Sequence, residues 1–510
     1  MDTKIILIFF FVLLFGCKKD SYGDTEVSSN AYYVDSANGA DSNDGLSPEK
    51  AWQTLAKVNS QEFKPGDRIL FKSGCKWIGQ LRPKGSGIAN HPIIFDQYGE
   101  GPLPKISQGD QSGVVLLLKN QDQWEINHLE LSGGTPKPDM QVGGIHVQAT
   151  TIKRVLKHVV IRNCVIRDIL GSVKLYESCS IWVGVPGWND SNGLTTGFDD
   201  VLIENNQIYQ SDRCGILVWT TAGPGQASQF QKGLIPSKNV VIRNNLLEDI
   251  GGDAILVLGS DRPLVENNVV RRCCIKSGDP VYGDGYNPSA AAIWLHHCEK
   301  GIMQNNAVYD CVKLEKNNDG MAYDFDFNCN ECILQYNYSR NNAGGFLLIM
   351  NSATNNIARY NISENDRSHV LFCVGSRFEM NKVYNNTFFI DSASSYIVPN
   401  AVFYNNIFMA AGKINISIQE SEKGLFKNNC FAGNNISLKL ESNFNVDNPQ
   451  LMNPGKGGLN AEGLGSYSLL LGSPCLGIGL IIDNNGGKDI LGNPVPQNSA
   501  PDLGAIQSHN

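Results

Sequence analysis

Between residues 111 and 435 the chain runs in short stretches where apolar and polar residues alternate, punctuated at near-regular intervals by an Asn pair. Positions such as Val241, Leu247, Ile255 and Val257, with Val, Ile and Phe dominant, predict short β-strands with one face in a core. The punctuation reads I-E-N-N-Q-I ending at Ile208 and I-R-N-N-L-L ending at Leu247. Variants of it continue to F-K-N-N-C-F ending at Phe431. The second Asn of each phrase gives Asn206, Asn245, Asn268, Asn306, Asn337, Asn361, Asn386, Asn406 and Asn429. From 245 to 268 is 23 residues, 337 to 361 is 24, 361 to 386 is 25, 386 to 406 is 20 and 406 to 429 is 23. Self-similarity at such a period predicts a solenoid in which each repeat stacks on the last. Each repeat here holds a triplet of short strands. Asn tolerates the left-handed backbone region that a sharp turn needs. Stacked side-chain amides can also hydrogen-bond from coil to coil. The ladder is therefore expected to build the fold and not to bind substrate.

The longer steps locate a working surface. From 206 to 245 is 39 residues, 268 to 306 is 38 and 306 to 337 is 31. The extra residues fall at about 184–199, 220–238, 275–290 and 312–319, each next to one strand of the coil. Insertions in solenoid loops tend to line a binding face. That strand aligns as Gly144-Ile-His-Val147, Ser180-Ile-Trp-Val183, Gly215-Ile-Leu-Val-Trp219, Ala254-Ile-Leu-Val-Leu258 and Ala292-Ile-Trp-Leu-His296. Two further coils follow, Ala322-Tyr-Asp-Phe-Asp326 and Gly345-Phe-Leu-Leu-Ile349. Ile145, Ile181, Ile216, Ile255, Ile293, Tyr323 and Phe346 then face the core. His146, Trp182, Trp219, Trp294, His296, Asp324 and Asp326 face outward on a solvent-exposed stripe. Trp294 should sit beside Asp324, and His296 beside Asp326.

Trp faces stack on pyranose rings, and two carboxylates can act as general acid and as base or nucleophile. Asp324 and Asp326 are the expected catalytic pair; side-chain freedom leaves retention and inversion both open. Like charges side by side cost stability, so the pair is read as functional; a solvated acidic strand or a calcium site is the alternative. His296 could tune Asp326 or contact substrate. Asp253, in Gly251-Gly-Asp-Ala254, lies at the mouth of the groove as a further catalytic candidate or a turn residue. Trp182, Trp219, Trp294 and His146 are the expected substrate contacts. Asp284, in Tyr282-Gly-Asp-Gly-Tyr286, could reach the groove from its wall. No Lys or Arg occupies an outward position on the aligned strands, which favours hydrolysis over β-elimination. Arg213, Arg262, Arg271, Arg272 and Lys276 could still enter from loops, with calcium on the Asp pair, in a lyase. A non-catalytic glycan-binding solenoid is the third reading. The hydrolase reading requires no cofactor.

Net charge is −8 and the pI about 5.6, so nothing marks a nucleic-acid partner. The 510 residues fit one elongated solenoid, expected to be a monomer with a carbohydrate as its partner. Lys4 followed by the apolar run Ile5–Phe15 is a secretory signal too short to span a membrane. Leu14-Phe-Gly-Cys17 resembles a bacterial lipobox, which implies cleavage before Cys17 and lipid attachment there. Lys18-Lys-Asp20 resembles the export tag of surface lipoproteins of Bacteroidetes-type bacteria. The resemblance implies an outer-membrane anchor, facing the surface or the periplasm, with residues 18–30 as tether. Of the 14 Cys, Cys329 and Cys332 form a lone C-x-x-C without zinc spacing elsewhere, and core thiols are expected.

Residues 31–110 are expected to cap the solenoid and start its coils, with a short helix over 46–58 capped by Ser47 and begun by Pro48. Tyr33-Val-Asp-Ser-Ala-Asn-Gly-Ala-Asp-Ser-Asn-Asp-Gly45 and Lys64-Pro-Gly-Asp-Arg-Ile-Leu-Phe-Lys-Ser-Gly74 resemble the opening of secreted bacterial right-handed β-helix proteins. These are the pectate-lyase-like polysaccharide lyases and glycoside hydrolases. Ser473-Pro-Cys-Leu-Gly-Ile-Gly479 and Pro501-Asp-Leu-Gly-Ala-Ile506 resemble their closing segment, within residues 436–510. The resemblance implies an all-β, right-handed parallel β-helix with an N-terminal cap. It also implies cleavage of glycosidic bonds in a plant or algal polysaccharide or its oligosaccharides.

Overall fold

The computed structural model describes residue 27 and residues 30–150, 154–186, 196–220, 235–276, 289–313, 319–374, 380–391, 394–411, 413–416, 425–433 and 443–508. Cys17, the tether up to residue 26 and Asp284 lie outside these residues, as do the central parts of all four expected insertions.

The described strands form three long sheets of 15, 14 and 11 strands. Neighbouring strands are parallel and one coil apart, as in Val159–Val201 and Val201–Val240 of the first sheet. The first sheet runs from Ala31–Val34 to Phe426–Lys427, and the second from Lys76–Ile78 to Phe444–Val446. The third runs from Gly113–Lys119 to Lys413–Ile416. Inward side chains of all three sheets form one continuous core, from Val34 to Phe431. Stacked Phe pairs such as Phe403–Phe426, 4.5 Å between ring centroids, repeat the same side chain coil after coil.

The Asn phrase divides its two tasks between neighbouring residues. The first residue of each pair is the left-handed one: Asn205, Asn244, Asn267, Asn305, Asn385, Asn405 and Asn428 all have φ of 50–58°. The second builds the ladder. Asn206 donates its amide to Asn245 Oδ1 at 3.0 Å and its backbone N–H to the same oxygen at 3.0 Å. The pattern continues through Asn268, Asn306, Asn337, Asn361, Asn386, Asn406 and Asn429 to Asn443. Left-handed geometry thus belongs to the residue before the rung, a correction to the expectation that one Asn does both. A second, shorter ladder joins Asn356 to Asn381 at another corner. Asn342 and Asp366 pair at a third.

The N-terminal helix is displaced from its expected place. Ala51 is extended and Trp52 bridges Val34, so residues 48–50 form only a 3-10 turn. The helix is Leu55–Ser60, capped by Thr54, whose hydroxyl accepts from Lys57 N–H at 3.2 Å. Asp41 holds that cap in place through Thr54 Oγ1.

The C-terminal segment folds back along the outside of the later coils. Asn385, Asn405 and Asn428 donate their amides to carbonyls of Asp502, Leu480 and Ile478 at 2.9–3.0 Å. Where the left-handed position is Tyr, at Tyr336 and Tyr360, the rings pack with Val495 and Ile490 of this strap. Glu364, buried, accepts from Tyr338 and Tyr467 hydroxyls at 2.8 Å and from Gly457 N–H at 2.9 Å.

Candidate active site

The third sheet carries the aligned strands in order: Val142–Gln148, Cys179–Gly184, Cys214–Trp219, Asp253–Leu258, Ile293–His296, Met321–Phe325 and Gly345–Ile349. Its register joins Ile145, Ile181, Ile216, Ile255, Ile293 and Tyr323 on the core face. His146, Trp182, Leu217, Leu256, Trp294 and Asp324 form the next row, facing out. In the last of these strands the expected alignment slips by one. Tyr323 pairs with Leu347 and Asp324 with Leu348, so Phe346 lies opposite Ala322. Gly345 has φ of 137°, a conformation that lets both Phe346 and Leu347 turn inward.

The outward row is not solvent-exposed as the alternation alone suggested. Trp182, Leu217, Trp219, Leu256, Leu258, Trp294, Met321 and Leu348 form a second cluster of buried apolar side chains on this face, with Tyr176, Met350 and Phe372 packed against it. Large side chains spaced by one strand separation touch across the row and exclude water. His146 is wholly buried, edge-on to Trp182 at 5.2 Å, with Nε2 3.2 Å from the Cys179 carbonyl. Burial lowers its pKa to about 3. Trp182 and Trp219 are buried in the same cluster; Tyr176 packs on Trp219.

The acidic groups gather at one end of the cluster. Asp253 is the first residue of its strand, wholly buried, and its Oδ2 lies 2.8 Å from Arg213 Nη1. Its Oδ1 accepts from Trp294 Nε1 at 3.0 Å and Ala291 N–H at 3.2 Å. Asp253 therefore fixes the Trp294 indole, whose residue pairs in register with Asp324. Burial raises the Asp253 pKa to about 6 against the opposing pull of Arg213.

Asp324 is buried, and its Oδ1 has no hydrogen-bond partner among the described residues. Burial, then the charges of Asp326, Asp319 and Asp253, hold its pKa well above the usual carboxylate range. Asp326 follows the strand end. Its Oδ1 accepts from Phe327 N–H at 2.6 Å and its Oδ2 lies 3.8 Å from His296 Nε2. Burial raises its pKa to about 7, with Asp319 and Asp253 adding to the effect. His296 and His297 meet Nδ1 to Nδ1 at 2.5 Å, and Asn328 Nδ2 lies 2.7 Å from His297 Nε2. Burial keeps both rings neutral, lowering them to about 3 and about 4. His296 thus offers Asp326 an uncharged imidazole.

Asp319 was not singled out from sequence, although it ends the 312–319 insertion. Its charge acts on both Asp324 and Asp326, and it is less buried than Asp324. The following Gly320 has φ of 88° and its N–H donates to the Ala290 carbonyl at 2.8 Å. A Cβ on Gly344 would stand 2.5 Å from the Asp319 carbonyl, so glycine there allows the close approach of Asp319 to the next coil. The readable signal is an acidic residue and a Gly immediately before the Asp-x-Asp strand.

Three long parallel sheets wound coil on coil, with carboxylates gathered at the end of an aromatic row on the third, define a parallel β-helix. The chain belongs to the family of the right handed beta helix region, whose model matches residues 112–388. It is similar to a lacto-N-biosidase of Bifidobacterium longum subsp. longum, 28% identical over 95% of this chain; the chain spans 37% of that protein's length. Among solved structures it is similar to the GH136 lacto-N-biosidase of Eubacterium ramulus, with a TM-score of 0.59 and 22% identity. That match covers 82% of this chain and 68% of the other. A complex of XylC with xylose shares the fold at a TM-score of 0.53 and 12% identity, over 94% and 98% of the two chains.

Proposed function

We propose that this chain is a glycoside hydrolase, and that the bond it cleaves joins a disaccharide of the lacto-N-biose type to the rest of a glycan. The observation that carries this is the gathering of Asp319, Asp324 and Asp326 at the end of the aromatic row, with burial raising the pKa of Asp324 and Asp326. The lacto-N-biosidase relative, aligned along nearly the whole chain, supports the substrate class over a plant or algal polysaccharide.

A glycosidase needs one carboxyl that holds a proton near neutral pH and one that is ionised. Asp326, at about 7, suits the general acid: it gives its proton to the glycosidic oxygen as the C–O bond breaks. Asp324 is too deeply buried to carry the negative charge and, protonated, donates a hydrogen bond to a substrate hydroxyl or amide. Asp319 is assigned as the second carboxyl, either the base that takes a proton from the water attacking the anomeric carbon or the nucleophile that bonds to it before water does. Asp253 acts as a positioning residue, holding the buried Trp294 indole beside Asp324.

β-elimination would require a cation to neutralise a uronate. Among the described residues Arg213 is buried and ion-paired with Asp253, and Arg271 ends a strand of the second sheet, over the Tyr309 ring and away from Asp324. The hydrolase reading therefore takes precedence. Assay with an aryl lacto-N-bioside and with uronate polymers separates them. Release of the aryl group without an unsaturated uronate product is expected; an unsaturated, chelator-sensitive product would overturn the reading. Asp326→Asn and Asp319→Asn should each lower kcat by about 100-fold or more, the scale of a lost acid or base. Replacing Cys17 with Ala should move the protein from the membrane to the soluble fraction, if the lipobox is read as proposed.

A further inference from the structure

The groove face of the third sheet continues past the carboxylates and carries a second group of rings. Phe372, in Ser368–Cys373, pairs with Leu348, and Leu348 pairs with Asp324. His369 pairs with Gly345 on one side and Tyr396 on the other. His369 and Phe372 are three residues apart, so in a regular strand they would face opposite ways. Here Val370 and Leu371 both turn into the core. The register to the next strand shifts between His369 and Leu371, the mark of a β-bulge, a device that re-aims side chains beside working sites. The bulge brings the His369 ring onto Phe372, stacked at 4.6 Å between centroids with planes 27° apart. The Tyr396 ring lies 5.8 Å from His369 and is 45% exposed. Burial and the charge of Lys313 hold His369 neutral by lowering its pKa. Unlike the Trp row, whose rings lie within the buried cluster, this group is only partly covered.

We propose that His369, Phe372 and Tyr396 form a stacking platform for a pyranose ring of the substrate remote from the cleaved bond. The proposal rests on the glycosidase reading for the nature of the ligand. Strands spaced by about 4.8 Å place Phe372 about 10 Å and Tyr396 about 14 Å from Asp324 along the sheet. That is beyond the ring at the cleaved bond and suits later rings of an extended glycan. Flat, partly apolar rings with a polar edge match the apolar C–H face and hydroxyl rim of a sugar.

The test uses full-length protein carrying Asp326→Asn, titrated calorimetrically with neutral oligosaccharides of the lacto-N-biose series from disaccharide to hexasaccharide. Affinity is expected to rise with length. Phe372→Leu and Tyr396→Ala, each with an unchanged melting temperature as the fold control, should remove about tenfold of the gain, the scale of an aromatic stack. Binding of the disaccharide should be unchanged. A length gain that survives both variants, equal weakening at every length, or no binding of any oligosaccharide would overturn the platform. Cleavage of the aryl lacto-N-bioside by the unsubstituted protein is read separately. Failure there with length-dependent binding intact would remove the hydrolase reading and leave the platform standing.

Discussion

Asp366 occupies a corner where the coil before it has Asn342, and it is the charged member of an otherwise neutral stack. Its Oδ1 accepts from Asn342 Nδ2 at 2.7 Å, and its Oδ2 from the Ser339 and Ser363 hydroxyls. Burial nonetheless raises its pKa from 3.8 to about 6. The folded chain therefore holds a proton that the unfolded chain releases. The stability from that proton is complete below about pH 4 and is lost as the pH rises towards 6. Asp366→Asn keeps the shape, and the Ser hydroxyls can rotate to accept. It should flatten the slope of melting temperature between pH 4 and 6 and stabilise the protein at pH 7 by up to about 3 kcal/mol, the worth of two pKa units. Asn337→Ala should act in the opposite direction. It removes the oxygen that accepts from both Asn306 N–H and Asn306 Nδ2, and the amide that reaches Asn361. Loss of about 3 kcal/mol or more is expected in urea unfolding, since buried groups left unpaired cost roughly 1–3 kcal/mol each. At Asp326 the same raised pKa has a kinetic reading. The acid must be protonated to act, so kcat/KM should fall as the pH rises through about 7, and this limb should vanish in Asp326→Asn.

At the scale of strands and turns, the pairing Trp294–Asp324 and the neighbouring of His296 and Asp326 were legible from the strand phrases aligned coil by coil, with the Asn ladder marking the coils. Period two fixes the facing of each side chain once the register is known. The slip at Gly345 was not legible, because Phe346 and Leu347 both face the core, which breaks that period just after a glycine with φ of 137°. Nor was the burial of the Trp row, which depends on neighbours across coils and not on the strand's own pattern. Asp319 escaped notice because it precedes the strand, where no alternation exists to place it. The 46–58 helix failed for a local reason: Trp52 pairs with Val34, and an extended residue cannot lie inside a helix. The strap and the left-handed Asn residues meet in a way the repeat itself does not encode. Asn405→Ala would leave the Leu480 carbonyl and N–H, both now bonded to that side chain, without it. Amide exchange at residues 478–482 should rise about tenfold or more with that of the inner coils unchanged, since the lost bonds are worth roughly 1–2 kcal/mol.

For the molecule as a whole, each coil touches only its neighbours, yet the strap bridges many of them. Tyr336 donates to the Lys488 carbonyl across 152 residues of sequence, and Asn385 to the Asp502 carbonyl across 117. Tyr309, Tyr338, Phe389 and Ile407 on the outer face of the second sheet are covered by Leu451, Tyr467, Leu503 and Ile506. This arrangement gives the protein a birth order. Coils can stack from the N-terminus as the chain emerges, each on a finished predecessor. The coils from Tyr336 onward, which directly follow the strand bearing Asp324, are covered only once the strap of residues 451–506 is in place. A nascent chain halted near residue 450 would present its outer tyrosines and phenylalanines bare. The strap thus works as a cover laid over coils already stacked, and its loss would bare aromatic surface on the second sheet while leaving the pairing of the third intact.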